Sequence, residues 1–134
     1  MTKTRVGMIK FGSHLSIDVD FWSRLKTRFI GGFFTFDTGA AVTTISKSIL
    51  YDLGYNIGDG KTQVISTASG TEYVKEVVID KIRIGDIVLE NILVYAHTFP
   101  DECATSGVIG LNVLSMFDIN LLFSKRLIEL TRLR

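Results

Sequence analysis

Cysteine is all but absent from this chain: Cys103 stands alone among 134 residues, which excludes an internal disulfide framework. Proline is as scarce, and the single Pro100 lies in a polar stretch, where a missing N–H does no harm to a β ladder. An excess of charge of one sign is missing too. The formal net charge of +1 gives no bulk reason for attraction to nucleic acid or a membrane, so any partner has to be argued from a site. No apolar run approaches the roughly 20 residues that a bilayer-crossing helix needs, and the longest are short segments such as Ile92 to Ala96. The N-terminal stretch Met1-Thr-Lys-Thr-Arg-Val-Gly-Met lacks the apolar core of a signal peptide. These absences lead to the expectation of a soluble, cytoplasmic protein.

What is present is ordinary for a globular chain, 46% apolar and 22% charged. The length suits one domain with a core of its own and is too short for two lobes, so residues 1–134 are read as a single domain. From Phe11 to Phe21 apolar and polar residues alternate, which predicts a half-buried strand. The alternation continues to Phe29 and meets Gly31-Gly32, a pair suited to a tight turn, so a hairpin is expected to deliver Phe33 to Phe36. The same stretch spaces Phe21, Leu25 and Phe29 four apart among basic residues, the pattern of an amphipathic surface helix, but the alternation is the stronger signal.

Val42 to Ile45 is β-branched and strand-like, Ser46 is a suitable N-cap for a helix over Lys47 to Leu53, and Gly54 is its left-handed stop. Asn56 to Lys61 reads as a loop. Gln63 to Thr67 and Glu72 to Val74 flank the small residues Ala68-Ser69-Gly70-Thr71 as a hairpin. Val77 to Ile84 and Ile87 to Ala96 are strands joined at Gly85-Asp86. His97 to Ser106 is the longest polar stretch, Asn112 to Met116 suits a short helix, and Ile119 to Phe123 and Leu127 to Leu130 close the chain as a hairpin. The expectation is an all-β domain with one or two short helices.

Asp37-Thr38-Gly39-Ala40, at the end of the apolar Phe33-Phe34-Thr35-Phe36, occurs once. A carboxylate beside aromatic residues resists ionisation unless hydrogen bonds or charges compensate, and catalysis exploits such tension. The bland alternative is a turn aspartate capping local N–H groups. Asp118 also precedes an apolar strand but lacks a following Thr-Gly, which favours a structural or surface role. His97 and Cys103 lie six apart, without a further His or Cys nearby to complete a metal site, and no cofactor is expected. Tyr73 suits either a substrate contact or cross-strand packing. Arg24, Lys26 and Arg28 read as the solvated face of a strand, and no phosphate-binding or nucleic-acid motif accompanies them.

Phe33 to Ser46 resembles the catalytic strand, loop and following strand of the retropepsin-like aspartic proteases, the single-lobed branch. Val108-Ile109-Gly110-Leu111-Asn112-Val113-Leu114 is similar to that family's second hallmark, an apolar pair and glycine leading into a helix. Between them, Val64 to Val74 sits where the family carries its flap, and the ordered match runs from about Phe33 to Leu130. The resemblance implies an acid-protease barrel or sandwich and an aspartic endopeptidase active as a homodimer, with Asp37 of each copy forming the dyad. It implies support from Thr38 and Gly39, and contact with a peptide or protein substrate at Ala40, Ala41, Ala68, Ser69, Gly70, Thr71 and Ile109. A catalytically idle dimer that binds peptides or a partner protein is the alternative. Retroviral members usually place an acidic residue after the Asp-Thr-Gly-Ala run and an arginine after the second-hallmark glycine. Here those positions are Ala41 and Leu111, and the Phe117 to Leu130 hairpin and the long N-terminal region also look less like viral members than like cellular and bacterial single-lobed relatives.

Overall fold

The computed structural model describes residues 2–11, 13–67, 70–98 and 106–134. Most of them lie in strands. In chain order these are β1 (Lys3–Gly7), β2 (Ile9–Phe11), β3 (His14–Ser23), β4 (Arg28–Phe36), β5 (Thr44–Ser46), β6 (Thr62–Thr67), β7 (Gly70–Ile84), β8 (Ile87–His97), β9 (Gly107–Ile109), β10 (Phe117–Leu122) and β11 (Leu127–Arg132). Two short helices, α1 (Lys47–Asp52) and α2 (Leu111–Leu114), punctuate them, and a 3₁₀ turn over Phe123–Lys125 separates the last two strands.

The larger sheet runs β2-β3-β4-β9-β5-β8-β7-β6, and a further pairing of β3 with β7 closes six of these strands into a ring. Closure pairs Asp20 with Arg83 and Phe21 with Ile82. Arg83 clasps the Asp20 carboxylate at 2.6 and 2.8 Å while its guanidinium stacks 4.3 Å over the Phe29 ring. Inside the ring sit Ile17, Val19, Phe21, Phe34, Ile45, Ile79, Ile82, Val94 and Ile109, all essentially inaccessible to solvent. The Phe21 and Phe34 rings meet at a tilt of 47° with centroids 4.8 Å apart. Fully burying a large apolar side chain contributes about 1.5–3 kcal/mol, so this cluster is the main source of stability.

The smaller sheet joins the two chain ends, with β11 between β1 and β10. The expected closing hairpin is present, and Arg126 turns it in the left-handed region at φ 53°. The strand β1, for which no expectation was formed, alternates exposed Lys3, Arg5 and Gly7 with buried Thr4 and Val6. Gly85 turns β7 into β8 at φ +58°, and a Cβ there would fall 2.2 Å from Thr4 Oγ1, so the turn also seats β1.

Three expectations are corrected. The strand expected over Phe11 to Phe21 is broken, because Ser13 lies in a turn and Ile9–Phe11 folds back antiparallel to β3. The Gly31-Gly32 pair does not turn the chain. The reversal occupies Arg24 to Thr27, where Ser23 Oγ accepts the Lys26 N–H at 3.0 Å and Thr27 adopts φ 48°, while both glycines lie inside β4. Crowding explains them: a Cβ on Gly31 would meet Asp20 Oδ1 at 2.9 Å and one on Gly32 the Phe34 ring at 3.1 Å. This strand pairing also replaces the amphipathic-helix alternative. Ser46 precedes α1 as expected but makes no side-chain cap, its hydroxyl lying 2.8 Å from that of Ser48. Gly54 does stop the helix, at φ +89°. Pro100 and Cys103 lie outside the described residues, among which no helix is long and apolar enough to cross a membrane.

At the Arg24 turn, the guanidinium binds Asp80 through both nitrogens at 2.8 and 2.9 Å and lies 4.5 Å over the Tyr55 ring. The hydrogen bonds from Arg24 hold the Asp80 carboxyl below its ordinary value of 3.8. A depressed carboxylate contributes stability above its unfolded pKa and loses it as pH falls through the folded one. Arg24→Met should therefore cost less than about 1 kcal/mol at neutral pH, since the pair is exposed. In urea denaturation the gap from the parent should close as pH falls below 3.8.

Candidate active site

The apolar ramp of β4 ends with Phe34 buried, Phe36 half-buried against the core and Asp37 half-buried at the strand's tip. Here β9 runs parallel to β4, pairing Thr35 with Val108 and Phe36 with Ile109, and the Asp37 N–H continues the ladder to the Ile109 carbonyl at 3.1 Å. On its other edge β9 is antiparallel to β5, pairing Thr44 with Val108 and Ile45 with Gly107. The loop from Asp37 to Thr43 therefore carries the chain from one edge of β9 to the other.

Local hydrogen bonds fix this loop. Asp37 Oδ1 accepts the Gly39 N–H at 2.8 Å, and the Ala40 N–H reaches the Asp37 carbonyl at 3.3 Å. A Cβ on Gly39 would stand 3.0 Å from the same carboxylate oxygen, so glycine admits the close approach. The start of α2 then docks on the loop, its Leu111 and Asn112 N–H groups donating to the carbonyls of Ala40 and Ala41 at 2.8 and 3.1 Å. Asp37 thus does combine the turn chemistry of the bland alternative with a rigid seat.

Two residues central to the site were not singled out from the sequence. Thr43 is wholly buried, and its N–H and hydroxyl both donate to Asn112 Oδ1 at 2.8 and 2.9 Å. The same hydroxyl accepts the Gly110 N–H at 3.0 Å, while Asn112 Nδ2 donates to the Leu93 carbonyl at 2.7 Å. Loop, β9, α2 and β8 are pinned at one point. The available signal was Asn112 itself, a polar residue within the apolar Leu111–Leu114, which must find partners when it is shielded from water.

The remaining expected site residues fall into groups. Thr38, Gly39 and Ala41 are exposed and Ala40 half-exposed, forming an open surface beside the carboxylate. Ile109 is fully buried in the core, so in this chain it supports Asp37 through its carbonyl and presents no side chain to a substrate. Gly70 and Thr71 lie at the start of β7 in a hairpin with β6, Gly70 at φ +129°, whereas Ala68 and Ser69 lie outside the described residues. Tyr73 is 72% exposed and pairs across the hairpin with exposed Val64, so it packs in no core.

Leu111 is 43% exposed and Ala41 is exposed, so neither position leaves a buried charge without a partner. Asp118 is an exposed residue of β10 opposite Thr131, far in the topology from the loop. His97 contacts Glu72 at 3.2 Å, and no cluster of potential metal ligands occurs among the described residues. A cavity of ≈ 290 Å³ lies between β4 and α1, lined by Phe21, Gly32, Phe34 and Leu53, and does not include Asp37.

Residues 32–116 match the family model described as "gag-polyprotein putative aspartyl protease". The chain belongs to this aspartyl protease family, of retropepsin-like type. The fold of this family member is similar to that of a retropepsin-like aspartic protease from Rickettsia conorii, with a TM-score of 0.68 at 19% identity, covering 96% of this chain and 89% of that one. No curated protein matches it. The matched residues include the Asp37-Thr38-Gly39 loop just described.

Removing the pin should loosen this loop. Thr43→Val retains the shape but leaves the buried Gly110 N–H without its acceptor and takes from Asn112 Oδ1 one of its two donors, and should lower unfolding free energy by about 1–3 kcal/mol in chemical denaturation. Gly110→Ala should be worse than its small volume suggests, because the new Cβ would stand 2.8 Å from the Ala40 carbonyl oxygen and displace the loop.

Proposed function

We propose that the protein is an aspartic endopeptidase that works as a homodimer, Asp37 of each copy forming one catalytic dyad. The observation that carries this reading is the single Asp-Thr-Gly loop, rigidly seated by hydrogen bonds yet lying at an open surface. Peptide hydrolysis needs a base for the attacking water and an acid for the carbonyl oxygen, and one aspartate cannot be both at once. Two aspartates that share one proton supply both, because like-charge repulsion drives their protonation apart and the pair titrates as a unit.

In the dyad, the ionised Asp37 takes a proton from water as the oxygen bonds to the scissile carbonyl carbon. The neutral Asp37 donates its proton to the carbonyl oxygen, giving a neutral gem-diol. As the diol collapses and the C–N bond breaks, the ionised aspartate takes a hydroxyl proton from it and the protonated aspartate gives its proton to the leaving nitrogen, which leaves the dyad with one shared proton again. Gly39 holds one carboxylate oxygen through its N–H, which fixes the plane of the acid for this exchange. The exposed Thr38 hydroxyl is free to reach the neighbouring copy.

The substrate is an extended peptide bound along Ala40 and Ala41, under the β6–β7 hairpin acting as a flap, through strand-like main-chain hydrogen bonds. The cytoplasm is the working location. A second reading, a peptide-binding dimer without catalysis, draws on the uncharged Ala41 and Leu111.

Asp37→Asn should reduce cleavage of a peptide library by at least about a hundredfold, while circular dichroism and sedimentation show the dimer unchanged. Specific activity of the parent should fall on dilution, since one copy carries half a site. Full activity in Asp37→Asn would exclude the dyad, and a folded dimer that binds peptides but cleaves none from acid to neutral pH would favour the idle module.

A further inference from the structure

A dyad shared by two copies requires a two-fold axis beside Asp37. At such an axis a surface meets its own copy, so a charge placed there faces the same charge, whereas a neutral or apolar surface complements itself. Charged residues make up 22% of the chain. Yet Phe33 to Ser46 and Gly107 to Met116, the segments that build the Asp37 loop and its seat, contain only one, Asp37 itself. Burial does not account for this. Phe33, Thr38, Gly39, Ala41, Leu111 and Ser115 are exposed, and all six are uncharged.

The surface beside the loop also holds two apolar anchors. Leu111 opens α2 and is 43% exposed, although its N–H is tied to the Ala40 carbonyl at 2.8 Å. The end of the chain comes back to the same helix: the Leu133 N–H donates to the Met116 carbonyl at 2.9 Å, and Leu133 is 38% exposed. Leu111 and Leu133 thus stand at the two ends of α2, one on the Asp37 loop and the other just past the helix. Charge returns at the margin, with Arg132 and Arg134 on either side of Leu133 in the chain. An apolar, charge-free middle with a charged rim is the anatomy of a protein interface. Leucines on a hydrogen-bonded backbone also lose little freedom when they dock.

We infer that a second copy of this chain docks on the surface formed by Leu111 and Leu133 beside the Asp37 loop, and that this apolar contact, rather than an ion pair, brings the two Asp37 carboxyls together. The inference rests on the reading of a dyad shared by two copies and names the surface that such a dyad needs. Leu121, also 38% exposed, supplies the contrast, because β10 leaves α2 at Phe117 and carries Leu121 four residues farther along the small sheet.

The test is sedimentation of the full chain over a concentration series, with circular dichroism to check folding and a peptide library to read cleavage. Leu111→Glu should weaken self-association at least about tenfold, while Leu121→Glu leaves it at the parent's level. An equal mixture of Leu111→Glu and Leu111→Lys should associate more tightly than either variant alone, a recovery that a damaged fold would not show. Raising salt should not loosen the parent dimer. A parent that dimerises, loses its dimer in Leu111→Glu and cleaves no peptide supports the inference although the endopeptidase reading fails. A Leu111→Glu protein that dimerises and cleaves like the parent overturns the inference and leaves the endopeptidase reading standing. A monomeric parent, a dimer that dissociates in salt, an equal loss in Leu121→Glu, or a mixture that does not recover also overturns it.

Discussion

The three residues of β9 are hydrogen-bonded on both edges, by β4 running parallel and β5 running antiparallel, and much of the site's order follows from that constraint. Backbone in this position cannot turn to water, so its polar groups must be met from both sides. Side chains are squeezed out where the flanking strands close in: a Cβ on Gly107 would lie 2.2 Å from the Thr44 carbonyl oxygen. The loop that bridges the two flanking strands is thereby held at both ends. Asp37 stands at the first end and Thr43 at the second, and the distance between the ends is set by β9 rather than by the loop.

The fastening of that loop is neutral. Ala41 and Leu111, on either side of this fastening, are uncharged and exposed. Thr43 and Asn112 supply instead a small network of uncharged hydrogen bonds, buried or part-buried. Such a network gains from the low dielectric around it and neither titrates nor weakens with salt. The seat of the carboxylate is thus insulated from the conditions that change the carboxylate's own charge.

How much of this was legible in the sequence depended on whether the cause was local. Gly54, Gly70 and Gly85 mark a helix stop, a hairpin and a turn by their left-handed conformations, and all three were readable as punctuation. Asp37 with its following glycine was readable for the same reason, since a carboxylate oxygen and an N–H two residues on form a self-contained motif. Gly31 and Gly32 misled because their need for small size comes from Asp20 and Phe34, through strand pairing and packing, and not from a turn. The Thr43–Asn112 contact joins residues 69 apart, and the β1–β11 ladder joins the two chain ends. No local pattern announces either. They exist only once the sheet has brought the segments together.

Strand β7 runs for 15 residues and has three partners: Gly70 to Lys75 pair with β6, Lys75 to Ile84 with β8, and Ile82 and Arg83 also with β3. Lys75 is the residue laddered to both β6 and β8, with Thr62 on one side and Ala96 on the other. Mechanically the hairpin is a cantilever with its root at Lys75, and its far anchor is the clasp of Arg83 on Asp20. Stiffness at the root, set by the twist of one continuous strand, governs how far the tip travels for a given force. Ile82, Arg83 and the hairpin's tip thus belong to a single piece of backbone.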